Sequence, residues 1–185
     1  MILTTKHRFD MTGQLEMFPV HPSNGTDGIF KDAVISECGN YRHALTRIWD
    51  RSKEQIMFIG LNPSTADADN DDPTLRRCMN FANDWGYGGL FMLNLFDYRA
   101  TDPHDLFMTE RPESELCNYY LSLYGRSSDT IVFAWGSFKP NFTKHRVKVV
   151  REMFGADAYC FGNNNNGAPK HPLYLASDTL LTKFL

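Results

Sequence analysis

The chain has 185 residues, a formal net charge of −3 and 42% hydrophobic residues. That length builds one domain with a sizeable core. No apolar run reaches the length of a membrane span. The charge balance excludes a strongly electrostatic nucleic-acid binder, though not a local basic groove.

Residues 1–28 carry Gly13, Pro19, Pro22, Gly25 and Gly28 with little periodicity, and read as a loosely held arm that Phe9 and Phe18 could pin. The start, MILTTKHRFDMTG, has no signal-peptide pattern. Cys38, Cys78, Cys117 and Cys160 lack CxxC spacing and read as buried thiols, not disulfides or zinc ligands. A cytoplasmic setting is the expectation. Residues 29–185 then form a single α/β domain.

Ile29–Ser36 is a strand, Glu37–Asn40 a turn and Tyr41–Trp49 a second strand, together an N-terminal β-hairpin. Arg42 and Arg47 are surface residues or, at a sheet edge, contacts for an anion. Ile56–Leu61 is almost wholly apolar, as in a strand buried on both faces, and Pro63 ends it. Asp67, Asp69, Asp71 and Asp72 follow. The EF-hand pattern fails here, with Asp72 at its glycine position and Cys78 at its glutamate position, so no metal is expected. Asp72 caps a helix over about Thr74–Trp85, with Pro73 at its first position and Leu75, Cys78, Met79 and Ala82 buried. Gly86–Gly89 turns into a further strand, Leu90–Leu95. This is a βαβ unit whose strands end at Asn62 and Asn94, and ligands of open α/β sheets bind beyond the carboxyl ends of parallel strands.

Helices follow from Thr101 and over Glu113–Tyr124, then a strand over Asp129–Trp135 and a basic helix over Lys144–Phe154. A short strand, Ala158–Phe161, leads into the asparagine-rich loop 162–167. Lys170–Leu175 and a final helix, Ser177–Phe184, close the chain.

Seven segments in order carry a resemblance: Ser36–Arg42, Leu61–Asp67, Asp71–Arg77, Trp85–Gly89, Asn94–Pro103, Ala134–Gly136 and His171–Leu175. Over about Ala33–Leu175 the chain resembles a bacterial and phage family, domain-of-unknown-function family 1643. More distantly, Gly60–Pro63, Met92–Asn94, Ala134–Gly136 and His171–Leu175 are similar to the ordered motifs of the uracil-DNA glycosylase superfamily. That second resemblance implies a three-layer α/β/α sandwich on a mainly parallel central sheet. It implies an N-glycosidic hydrolase acting on a base in DNA or a nucleotide, without metal or other cofactor.

On that likeness Asn62 and His171 are catalytic. The amide orients a water at the sugar carbon, and the neutral imidazole donates to charge developing on the base. Asn94 reads a base edge. Gly60, Pro63, Ser64, Phe96, Arg76, Arg99 and Trp135 complete the substrate contacts, and Tyr87 is a further stacking candidate. The serine that grips a phosphate in the glycosylases is Leu173 here, so Leu173 or Tyr174 could act as an apolar wedge. DNA binding is then weak and salt-dependent, through Arg76, Arg77, Lys139, Lys144, Arg146 and Lys148. The alternatives are a module that binds a nucleotide or modified base without cleaving it, and a phage-encoded inhibitor of a host protein. No membrane contact is expected.

Overall fold

The computed structural model describes residues 28–184. All of the expected arm except Gly28 lies outside the described residues. The seven strands are β1 (Phe30–Ile35), β2 (Arg42–Ile48), β3 (Gln55–Gly60), β4 (Gly89–Asn94), β5 (Thr130–Phe133), β6 (Tyr159–Cys160) and β7 (Thr182–Lys183). The helices are α1 (Pro73–Asp84), α2 (Pro103–Met108), α3 (Cys117–Gly125) and α4 (Pro140–Phe154).

The strands form one sheet in the order β1-β2-β4-β3-β5-β6-β7. Its centre, β4-β3-β5-β6, is parallel. The β1-β2, β2-β4 and β6-β7 pairings are antiparallel. The sheet is therefore mixed, not mainly parallel. The expected hairpin is the reason on one side, because β2 pairs with β4 directly and brings two antiparallel ladders with it.

The chain end is the reason on the other side. The helix expected over Ser177–Phe184 does not form; Thr182 and Lys183 pair with the edge of β6. Leu180, Leu181 and Phe184 suit a helical face as well as an extended chain, and the open edge of β6 decides between them. Phe184 then packs edge-on against Phe133, with ring centroids 5.1 Å apart.

Alternation along the strands divides the core in two. Met57, Ile59, Phe91, Leu93 and Phe133 meet Leu106 of α2, Cys117, Tyr120, Leu121 and Tyr124 of α3, and Val150 of α4. Ile56, Phe58, Leu90, Met92 and Val132 meet Leu75, Cys78, Phe81 and Ala82 of α1. Helices thus cover both faces. Among the described residues no helix is long and apolar enough to cross a membrane. Of the four free thiols Cys78, Cys117 and Cys160 are buried as expected, whereas Cys38, in the hairpin turn, is exposed.

One irregularity in β2 shapes the site. Val34 pairs with Ala44, but Ile35 pairs with Arg42, so the register slips at His43. This β-bulge breaks the strict alternation of the strand, so that His43 and Ala44 share a face and Arg42 takes the other. His43 joins the α3 side, where it stacks on Tyr120 with ring centroids 4.8 Å apart and meets Oδ2 of Asp97 at 2.7 Å. Arg42 is left on the α1 side beside Leu45.

The acidic loop is built around Arg47, which is fully buried. Its Nη2 lies 2.7 Å from Oδ1 of Asp71 and donates to the Asp67 carbonyl at 2.6 Å. The Asp67 carboxylate accepts the backbone N–H groups of Asp69 and Asn70. Asp72 caps α1 through the Leu75 N–H at 2.7 Å. Three of the four carboxylates therefore hold the loop in shape.

Candidate functional site

A cavity of about 570 Å³ opens at the carboxyl ends of β3 and β4. Gly60, Asn62, Ser64, Asn94 and His171 line it, together with Arg42, Asp72, Gly136, Phe138, Leu173 and Tyr174. The three residues expected to carry the chemistry, Asn62, Asn94 and His171, thus face one space.

Asn94 ends β4 in parallel register with Gly60 of β3. It is 3% exposed, and neither its Oδ1 nor its Nδ2 has a hydrogen-bond partner among the described residues. A buried polar group left unpaired costs roughly 1–3 kcal/mol, and most such groups in proteins are satisfied. Both polar atoms of this amide are thus left uncommitted by the fold at the cavity wall.

Asn62 behaves oppositely. Its Nδ2 donates to the carbonyls of Ala100 at 2.8 Å and Pro63 at 3.0 Å. Two acceptors can face only the NH2 side of an amide, so the orientation is dictated by chemistry. Oδ1 carries no hydrogen bond among the described residues. The Ala100 N–H donates in turn to the Pro63 carbonyl at 2.9 Å, which clips the loop after β3 to the loop after β4. Pro63 therefore contributes a carbonyl to the support, and its ring does not line the cavity.

His171 opens a short 3-10 turn, Pro172–Tyr174, and its Nδ1 accepts the Leu173 N–H at 3.3 Å. In the neutral ring the proton is then on Nε2, which is a donor. Burial lowers the His171 pKa below its ordinary value, against a smaller opposing effect from Asp72. Gly136 makes room for this ring. It has φ 75°, and a Cβ there would stand 3.1 Å from the His171 Cβ. The Ala-Trp-Gly and His-Pro segments, 35 positions apart, thus meet through one close approach.

Several expected contacts lie elsewhere. Phe96 is buried and packs on Phe142, with centroids 5.0 Å apart. Trp135 is buried against Phe133 at 4.6 Å. Tyr87 is tied by its hydroxyl to Thr130 at 2.6 Å, beside the amino end of β5. Arg76 is exposed and donates to the Asp71 carbonyl. Arg99 lines a separate shallow cavity and donates to the Gly39 carbonyl. No helix begins at Ser64, so its place in the wall is not a capping role. The aromatic residues that do line the site are Phe138 and Tyr174, the latter 90% exposed.

The expected basic face needs a similar correction. Arg146 points inward, 2% exposed, with Nε 2.8 Å from Glu113 and hydrogen-bonded to the Leu95 carbonyl. Arg77 donates to the Leu175 carbonyl and covers the Phe81 ring, so it fixes the His-Pro segment to α1. Lys144 and Arg151 instead line a second cavity of about 570 Å³, which shares Gly136 and Phe138 with the first. Among the described residues no cluster of three or more His, Cys, Asp or Glu could hold a metal ion.

The model of the family described as protein of unknown function (DUF1643) matches residues 42–173. The chain belongs to this family. The DUF1643 match takes in Asn62, Asn94, Gly136 and His171, and so most of the cavity wall. No curated protein and no solved structure matches the chain.

The residue that sequence reasoning left out of the site is Arg42. It was legible as a possible anion contact, but which face of β2 it takes depends on the bulge at His43. No pattern of alternation predicts that slip.

Proposed function

We propose that the cavity is a nucleobase site and that the protein hydrolyses an N-glycosidic bond, in a nucleotide or in DNA. The observation that carries this reading is Asn94. Its amide offers one donor and one acceptor, both buried and unpaired, to a planar ligand edge. Asn62 and His171 support it from the same cavity wall.

On this reading the free Oδ1 of Asn62 accepts a hydrogen bond from a water and aims it at the sugar carbon. The water oxygen bonds to that carbon as the carbon–nitrogen bond breaks. The bonding pair leaves with the base, and the water's proton goes to solvent. The His171 Nε2–H donates to the charge that develops on the base. Helices on both faces and a parallel β4-β3-β5 centre accord with a glycosylase-like sandwich. The reaction calls on no metal or cofactor, and its setting is the cytoplasm.

A binding module that does not cleave is the second reading. What favours it is Leu173, an apolar residue where the glycosylases place a serine to grip phosphate. Base release decides between the two. Single-stranded and duplex DNA and free nucleotides, carrying natural and modified bases, are incubated with the protein, and liberated base is measured. Hydrolysis predicts release that Asn62→Ala abolishes. Saturable binding with no release from any substrate would leave the module.

A further inference from the structure

Among the described residues three arginines are nine-tenths buried or more, and they differ in one respect. Arg47 spends its Nε and both terminal nitrogens on Asp71, the Thr46 carbonyl and the Asp67 carbonyl. Arg146 pairs with Glu113 and bonds the Leu95 carbonyl, Asn118 and Cys117. The side chain of Arg42, a residue 3% exposed, makes one hydrogen bond among the described residues, from Nη1 to the Ala66 carbonyl at 2.8 Å. Its Nε is buried with no partner, and it forms no ion pair among the described residues.

A buried cation without a counter-ion is among the costliest arrangements a fold can hold. Burial lowers the Arg42 pKa to about 10, Asp72 and Asp67 only partly oppose that effect, and the charges of Arg99 and Arg47 add to it. Asp72 also lines the cavity, but its Oδ1 is committed to the Leu75 N–H. The bulge at His43 is what aims Arg42 into the same cavity as Asn94.

We propose that Arg42 is the anion-binding residue of this cavity and that the ligand brings a terminal phosphate to its guanidinium. The planar fork of an arginine suits a phosphate through two parallel hydrogen bonds. A terminal group suits the burial of Arg42, because it can reach the guanidinium end-on, whereas a phosphodiester continues as chain on both sides. The inference rests on the nucleobase reading for its substrate class and makes that substrate a nucleoside monophosphate, not a polymer.

The test uses the full chain and inorganic phosphate as the probe. Thermal melting is followed with rising phosphate against chloride at matched ionic strength. At ten times the dissociation constant the wild-type midpoint should rise by roughly 3–6 °C. Arg42→Met should fold, since it exchanges an unpaired buried charge for an apolar chain of similar reach, and should lose the phosphate shift. Arg42→Lys, with its charge but not its fork, should show a smaller shift. No shift in the wild type, or an equal shift in Arg42→Met, overturns the proposal. Calorimetry with a nucleoside and its 5′-monophosphate adds the source: at least tenfold tighter binding of the monophosphate, lost in Arg42→Met, is expected. Equal affinity for the two would reject the terminal phosphate. Base release stands apart from both readouts. A phosphate shift without release ends the hydrolase reading alone, and release without a phosphate shift ends the role given to Arg42 alone.

Discussion

A Cβ on Gly60 would stand 2.7 Å from Oδ1 of Asn94, and 2.9 Å from Cε of Met92. The two residues are register partners on adjacent parallel strands, so the absent side chain of one is the space that the other occupies. Glycine is needed here for close approach and not for backbone freedom, since Gly60 is not among the positive-φ glycines.

Asn94→Leu should therefore stabilise the ligand-free protein while removing ligand binding. The substitution deletes two unpaired polar atoms from a buried site and fills the same volume with carbon, a gain of roughly 1–2 kcal/mol. Gly60→Ala should do the reverse on stability, costing about 1–3 kcal/mol as Asn94 is pushed aside. Urea unfolding of both variants, with ligand binding alongside, reads the result. A loss of stability in Asn94→Leu would mean that the amide is satisfied within the fold and is not a recognition group.

Acidification should destabilise the protein through His171. Its folded pKa is lowered by burial, so the unfolded chain binds the proton more readily. Stability conferred by the neutral ring is full well above the ordinary value near 6.5 and falls as pH drops through it, levelling off below the folded pKa. His171→Gln should flatten that part of the stability–pH curve. An NMR titration of His171 with a midpoint at or above the ordinary value would contradict this.

The acidic loop gives a prediction about architecture. Arg47→Met removes the charge that holds Asp71, whose carboxylate also lies 3.5 Å from Lys31. Breaking one partner of a buried pair costs about 3–5 kcal/mol, far above the loss expected at an exposed arginine. Because Ala66 and Asp72 line the cavity, amide exchange over residues 66–72 should also quicken. Exchange there at the wild-type rate would show that the loop does not depend on Arg47.

The strand ends and the order of motifs were legible because each rests on local rules. An apolar run stopped by Pro63 must be a strand end, and Asp72-Pro73 must start a helix. What escaped reading depends on long-range pairing. Phe96 and Trp135 have the chemistry of stacking residues, but they sit on core-facing positions that only the sheet order fixes. Arg146 lies on a helix that reads as basic on its outer face, and only Glu113, 33 positions earlier, reveals that it turns inward. The edge that captures Thr182 and Lys183 exists only once β6 has docked on β5.

Asn62 now yields two effects that separate its roles. Its Nδ2 bonds to Ala100 and Pro63 hold the two strand-end loops together, so Asn62→Ala should lower stability by roughly 1–3 kcal/mol, the worth of two hydrogen bonds. Its Oδ1 takes no part in that clip. If it orients water in the transition state, Asn62→Ala should also abolish base release while ligand affinity changes little. Asn62→Asp sharpens the distinction. It keeps an oxygen where Oδ1 stands but sets an acceptor against two carbonyls, so it should destabilise at least as much as alanine. Release rates measured well below the melting temperature of each variant remove the stability effect. If release from Asn62→Ala then matched the wild type, the residue would be a loop clip alone, and the water-orienting role would be lost.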